Sequence, residues 1–386
     1  MRHNESIVIE NASIVTPEGI LENASIRISN GIIEELCLDR IARCDRRIDA
    51  GGRYVLPGLV DLHSDAIENE IEPRKGAVFP VNMAIFDIDK KLAASGITTV
   101  YHSISLIDSG VDTRDKDAAD RIIREITRLA SQLNVRTKVH ARFDIQSTMT
   151  IPYVERLIDD GCVHLFSIMD HTPGQGQFRK ITAFMKDYME KIGRDITGES
   201  PNPNGHEIPA LSVEADFVER LVKKCHDRNI PVASHDDDSE EKLDVIERMG
   251  IVISEFPVNM EAVASATARG MYVALGAPNI VRGSSINGNL SARETIAAGF
   301  GDIICSDYVP TAIIHAVFTM ERLGVPLHRA VNMASLNPAK AAGIADFTGS
   351  LEPGKSADLI IVDTSGEVLR VLKTFVEGTE VYSSWY

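Results

Sequence analysis

From Leu56 to about Gly343 the chain repeats one pattern, a short apolar run, a polar connection, then a stretch of helical period. The short runs are Leu59 to Asp65, Thr98 to Ile104, Thr137 to Ile145, Val163 to His171, Pro231 to Asp236, Ile251 to Phe256, Tyr272 to Ala277 and Ile303 to Asp307, eight candidate strands in all. Between the second and third, Ala119, Ile122, Ile123, Ile126, Leu129, Ala130 and Leu133 fall at the 3.6-residue spacing of a helix that covers a sheet. Eight such units predict a closed (β/α)8 TIM-like barrel over residues 56–344, with a doubly wound open sheet as the alternative. The stretches Ser105 to Arg114 and Thr172 to Ser212 each follow a strand, which in a barrel makes them active-face loops.

The two ends of the chain read differently. Ser6 to Thr16, Ala24 to Ser29 and Ile32 to Leu38 alternate with period two and are broken by Pro17-Glu18-Gly19 and Asn30-Gly31. Asn-Gly between two such runs predicts a hairpin. Near the C-terminus Ala357 to Asp363 repeats the habit, and Glu377-Gly378 is a turn before Val381-Tyr382. Neither end has enough strands for a stable sheet alone, so residues 1–55 and 345–386 are expected to form one small β-sandwich together.

Period two also exposes an anomaly inside the barrel. On the third strand Val139, Ala141, Phe143 and Ile145 share one face, and Lys138, His140, Arg142 and Asp144 share the other. Helices outside the barrel take the apolar row, so His140, Arg142 and Asp144 must point to the axis, where desolvated charges need partners. The first strand offers His63 and Asp65 at its C-terminal end, a spacing at which the pleat aims both at one point. Alone, that pair reads more readily as a buried ion pair. His171, His235 and Asp307, at the ends of the fourth, fifth and eighth strands, change the balance. With Asp144 the set offers six imidazole and carboxylate donors, suited to one or two divalent ions of Zn, Mn or Fe.

The other histidines read more plainly. His226 lies in a charged helix tail and His315 among apolar neighbours, while His102 and His206 stay open as substrate contacts. The acidic run Asp236 to Glu241 reads mostly as helix-start chemistry, with Asp236 alone near enough to His235 to orient it.

Charge narrows the partners. With 40 basic against 56 acidic residues the net charge is −16, which argues against a nucleic-acid-binding face. A small anionic substrate is compatible, provided that cations gather locally. Candidates are Arg74 and Lys75 after the first strand, the glycine loop Gly174, Gly176, Arg179 and Lys180, and Asn279 and Arg282 after the seventh. Five cysteines without a Cys-x-x-Cys pair, an N-terminus without an apolar leader and the lack of a long apolar span predict a cytoplasmic protein away from the membrane. Monomer and homo-oligomer both remain open.

Three stretches then carry a resemblance. Tyr54 to His63, Gly96 to Val100 and Gly349 to Leu359 resemble the first barrel strand, the second barrel strand and the return to the small β domain in the amidohydrolase superfamily. Within it, His63-Ser64-Asp65, Ile71 to Arg74, Asp170 to Phe178, Ser234 to Asp237 and Gly276 to Asn279 are similar to the phosphonate-utilisation diphosphatases. That resemblance implies hydrolysis of α-D-ribose 1-methylphosphonate 5-triphosphate to the 5-phosphate and pyrophosphate. It further implies His63, Asp65, Asp144, His171 and His235 as the metal shell, and Asp307 as base and sixth ligand. Arg74, Arg142, Arg179, Lys180 and Arg282 would then meet the phosphates. The chain departs from the family in Asp144, where Glu is usual, and in Ala66, where Asn is usual. The rival readings are an amidohydrolase acting on a cyclic amide, N-acyl group or aminated base, and a metal-free scaffold.

Overall fold

The computed structural model describes residues 6–38, 41–108, 115–170, 215–285 and 288–384. At the N-terminal end lie β1 (Ile7–Val15), β2 (Ile20–Ser29), β3 (Ile32–Cys37), β4 (Arg46–Asp49) and β5 (Tyr54–Pro57). The barrel strands follow: β6 (Leu59–Ser64), β7 (Ile97–Leu106), β8 (Arg136–Asp144), β9 (Leu165–Met169), β10 (Val232–His235), β11 (Ile253–Glu255), β12 (Tyr272–Gly276) and β13 (Ile303–Cys305). The chain ends with β14 (Leu359–Asp363), β15 (Arg370–Val376) and β16 (Thr379–Ser383).

Both chain ends enter one mixed sheet, in the order β16-β15-β14-β5-β1-β2-β3 with β4 also paired to β1. The joint is β5, antiparallel to β14 and parallel to β1. Ile9, Ile14, Ile26, Ile28, Ile361 and Phe375 form the core that this sheet encloses. Two hairpin turns meet at its edge. Asn30 and Gly31 have φ of 55° and 78°, Glu377 and Gly378 have 48° and 72°, the positive pair that a two-residue hairpin turn requires. A Cβ on Gly31 would stand 2.7 Å from the Glu377 carbonyl oxygen, so glycine is needed there for space as well as for conformation.

β6 to β13 pair in sequence order, every neighbour parallel. The last strand returns to the first through a parallel bridge between Ser64 and Asp307. There the Asp307 N–H donates to the His63 carbonyl at 3.0 Å and the Asp65 N–H to the Asp307 carbonyl at 2.7 Å. Closure therefore fixes three of the expected site residues through their own backbones.

Val139, Ala141 and Phe143 join Ile122, Ile126 and other helix residues in the main core, as expected of an outward apolar row. Tyr101, Leu165, Ala233, Ile253, Ala274 and Ile303, from six different strands, pack on one another in a separate cluster. Two residues further along the same strands stand Ser103, Ser167, His235, Glu255, Gly276 and Cys305. Period two puts them on the same face, one layer nearer the C-terminal mouth. An apolar floor thus supports a polar layer. Among the described residues no helix is long and apolar enough to cross a membrane.

Candidate metal centre

His63 is the hub of the polar layer. It is 1% exposed, its Nδ1 lies 3.2 Å from Glu255 Oε1, and its Nε2 lies 3.5 Å from Asp65 Oδ1. Its ring centroid is 5.3 Å from that of His140 and 5.5 Å from that of His235. Arg142, from the inward row of β8, donates from Nη1 to both Asp65 oxygens at 3.1 and 3.2 Å and brings Nη2 to 3.4 Å from His235 Nε2. Deeper still, His140 Nδ1 sits 3.0 Å from the Leu62 carbonyl, and its Nε2 is 3.7 Å from Glu255 Oε2.

The chain turns sharply where these side chains leave the strands. Asp236, Phe256 and Asp307 have φ of 55°, 52° and 58°, a left-handed conformation that costs a residue with a Cβ about 1–2 kcal/mol. Each is the residue at or just after a strand end that bears the site. The Phe256 ring covers both imidazoles, at 4.9 Å from His63 and 5.4 Å from His235. Strain at these positions stands beside the polar layer and nowhere in the strands below it.

Burial and charge work against each other here. Burial alone would raise the Glu255 carboxyl, but the imidazoles of His140 and His63 hold it well below the usual range. Burial would lower His63, yet the Glu255 charge, helped by Asp65 and opposed by Arg142, raises it. Desolvation pushes the Asp61 carboxyl up to about 6 and raises Asp307, against the pull of the nearby His63. His140 falls to about 3 because burial disfavours its cation.

Of the residues expected from the sequence, His63, Asp65, His235 and Asp307 converge. His63, Asp65 and Asp307 bring donor atoms within 4.8 Å of one another, and so do His63, His235 and Glu255. Asp144 is buried, its Oδ1 accepts from the Gln146 N–H at 3.0 Å, and it belongs to neither group. Arg142 is 7% exposed and reaches the site. Arg74 and Arg282 are exposed, and the Asn279 amide braces a loop, donating to the Leu290 carbonyl at 2.9 Å and accepting from the Ala292 N–H at 3.2 Å. His171, Gly174, Gly176, Arg179, Lys180 and His206 lie outside the described residues.

Glu255 escaped the sequence reading, although it closes its strand as His235 does. Its signal was the one charged residue in the run Ile251 to Phe256, two positions after Ile253. Of the two histidines left open, His102 sits fully buried on the row of Val100 and Ile104 and turns into the main core. Asp237 departs from expectation. Helix-start chemistry belongs to Ser239, whose hydroxyl caps the Lys242 N–H, and to Glu240 and Glu241. Asp237 is wholly buried and accepts from the Ser234 and Ser254 hydroxyls.

The donor set suits a divalent ion. Asp61, Asp65, Glu255, Asp307 and Asp236 crowd a space in which Arg142 supplies the guanidinium. Asp61 Oδ2, Glu255 Oε2 and His140 Nε2 are buried without a hydrogen-bond partner among the described residues. Acceptors in that condition call for a proton or a cation. Imidazole and carboxylate together accommodate Zn, Mn or Fe, so the residues fit an ion without selecting one.

Comparison with known proteins agrees with this geometry. Over 350 residues, 88% of this chain and 91% of the other, the sequence is 31% identical to α-D-ribose 1-methylphosphonate 5-triphosphate diphosphatase of Escherichia coli K12. A 5-methylthioadenosine/S-adenosylhomocysteine deaminase of Teredinibacter turnerae is 38% identical over 100 residues, 26% of this chain and 19% of its own. The crystal structure of molinate hydrolase shares the fold, with a TM-score of 0.66 at 14% identity over 99% of this chain and 95% of that one. With residues 54–381, most of the chain, matching the amidohydrolase family, the chain belongs to that family.

Proposed function

We propose that the protein is a metal-dependent diphosphatase that hydrolyses α-D-ribose 1-methylphosphonate 5-triphosphate to the 5-phosphate and pyrophosphate in phosphonate use. The observation that carries this reading is near full-length similarity to the Escherichia coli enzyme of that name. His63, Asp65, His235 and Asp307 would hold the ion, with His171 as the further ligand implied by the resemblance. When bound, a divalent ion lowers the pKa of water toward neutrality and polarises a phosphoryl oxygen.

The remaining chemistry belongs to the chain. Asp307, whose carboxyl burial raises, would take a proton from the attacking water. That water attacks the phosphorus next to the ribose, the bridging P–O bond breaks, and pyrophosphate carries the electron pair away. Arg142 keeps the Asp65 carboxylate aimed at the Nε2 side of His63. Arg74, Arg179, Lys180 and Arg282 are the cations proposed to neutralise the triphosphate and phosphonate as charge develops. Phe256 shields the imidazoles from water on one side.

The test supplies chelator-stripped protein with Mn²⁺ or Zn²⁺ and the ribose triphosphate, and measures pyrophosphate, orthophosphate and ammonia. Pyrophosphate with an equal amount of ribose 5-phosphate product is expected, and Asp307→Asn lowers the rate by about 10²–10⁴-fold, the usual worth of a general base. Orthophosphate as the sole product, or an unaffected variant, would refute the mechanism. A deaminase reading is favoured by the shorter match to the Teredinibacter turnerae enzyme, and ammonia from an aminated purine nucleoside would establish it.

A further inference from the structure

The two donor groups at the barrel mouth share His63, and one imidazole cannot serve both freely. A neutral imidazole carries one N–H and one lone pair, on nitrogens that point apart in the ring plane. Which nitrogen carries the proton is decided by the acceptors around it. Asp65 already receives Arg142 at both oxygens, 3.1 and 3.2 Å away. Glu255 Oε1, by contrast, faces His63 Nδ1 at 3.2 Å in a hydrogen-bonding geometry, and Glu255 Oε2 has no partner among the described residues. A fully buried carboxylate in that position takes the proton on Nδ1, the nitrogen that faces it in hydrogen-bonding geometry, while His140 Nε2 stands 3.7 Å from Oε2.

Depth points the same way. The Glu255 side chain is 1% exposed and backs onto His140, itself 0% exposed, whereas the Asp65 side chain is 18% exposed. An ion arriving from solvent meets the Nε2 side of His63 first. His235 has a carboxylate on the same side, Asp236 Oδ2 lying 2.9 Å from its Nδ1 without a hydrogen-bonding geometry, and its Nε2 is turned toward Arg142.

We infer that Glu255 is a positioning residue rather than a ligand, that it fixes His63 with Nε2 toward Asp65 and Asp307, and that the described residues therefore form one ion site rather than two. The inference rests on the metal-dependent reading above and adds to it the count and the role of Glu255. A carboxylate behind a ligating imidazole keeps the ring oriented and raises its basicity, and its loss commonly weakens metal binding by about 10–100-fold.

Calorimetric titration of the chelator-stripped full chain with Zn²⁺, checked by elemental analysis, reads count and affinity without any turnover. One ion per wild-type chain is expected. Glu255→Gln keeps a carbonyl acceptor for the Nδ1–H, so the count stays at one and affinity stays within about tenfold, while Glu255→Met weakens binding by about 10–100-fold. Were Glu255 a ligand, the neutral amide would fail as the thioether does. Two ions in the wild type, or binding abolished alike in both variants, would overturn the inference and leave the hydrolase reading intact. Two ions in the wild type would overturn the inference even if a variant fails to fold. No Zn²⁺ uptake by the wild type would overturn the metal-dependent reading and this inference with it.

Discussion

Asp237→Ala removes a carboxylate that never touches the proposed ion, yet the structure ties it to two residues that do the positioning. Asp237 accepts from Ser234, next to His235 on β10, and at 2.6 Å from Ser254, next to Glu255 on β11. Lys242 Nζ lies 3.1 Å from Asp237 Oδ1 and donates to the His235 carbonyl at 2.8 Å. One buried anion therefore bolts together the ends of adjacent strands. Each hydrogen bond to a charged group contributes about 1.5–3 kcal/mol, so loss of the two hydroxyl bonds costs about 3–6 kcal/mol. Lys242 keeps its carbonyl partner and adds little more. Against a typical total stability of about 5–15 kcal/mol that is a large fraction. Urea denaturation at pH 7 should show the midpoint falling accordingly, and Zn²⁺ affinity should weaken with it because His235 and Glu255 lose their register. Asp237→Asn, which can accept at its amide oxygen, should lose roughly half as much. An alanine variant within about 1 kcal/mol of wild type, with native Zn²⁺ affinity, would refute the idea that this carboxylate holds the two strand ends.

Arg142→Met leaves Asp65 without its guanidinium and should cost about 2–3 kcal/mol in urea denaturation, below the figure for a fully buried pair because Asp65 is partly exposed. Arg142→Lys restores a charge near Asp65 but cannot also reach His235, so it should recover only part of the loss, and full recovery would contradict the two-sided contact. His102 reports on acid stability. Burial lowers its pKa to about 4 from an ordinary 6.5, so it stays neutral when folded and takes up a proton when unfolded anywhere between those values. Its contribution is intact above pH 6.5 and is lost as the pH falls toward 4, by about 3 kcal/mol at 1.36 kcal/mol per unit. The stability difference between wild type and His102→Leu, followed by urea denaturation from pH 7 to pH 4, should shift by that amount, and parallel curves would exclude a neutral buried His102.

The barrel was legible because each of its strands is a short apolar run bounded by turns, and the helix over Lys116–Leu129 buries Ala119, Ile122, Ile123, Ile126 and Leu129 as its period predicts. The terminal sheet was legible through its turns more than its strands. Asn30-Gly31 and Glu377-Gly378 announce hairpins, whereas β4, with four partly exposed residues, and β5, running straight on toward β6, carry no alternation of their own. β5 is a strand because β14 and β1 flank it, a tertiary cause that no local pattern records.

The site followed the same rule up to a limit set by physics. Period two finds a side chain's face, and in the structure His63, His235, Arg142 and Asp307 meet at one end of the barrel. Period two does not say which polar side chains on that face stand at the same height. Height depends on the stagger between strands, fixed by pairings such as His235 with Glu255 on β10 and β11. That stagger puts Glu255 beside His63 and leaves Asp144, on the same inward row as Arg142, to accept a hydrogen bond from its own turn. Asp307 shows the complementary case, for its carboxyl reaches the site only because a left-handed φ of 58° lets the chain bend where the last strand meets the first. Two backbone hydrogen bonds close the barrel at that bend, at 3.0 and 2.7 Å. Closure and donor geometry are thus one feature, and a variant that relaxes the Asp307 backbone would loosen the barrel seam and the donor set together.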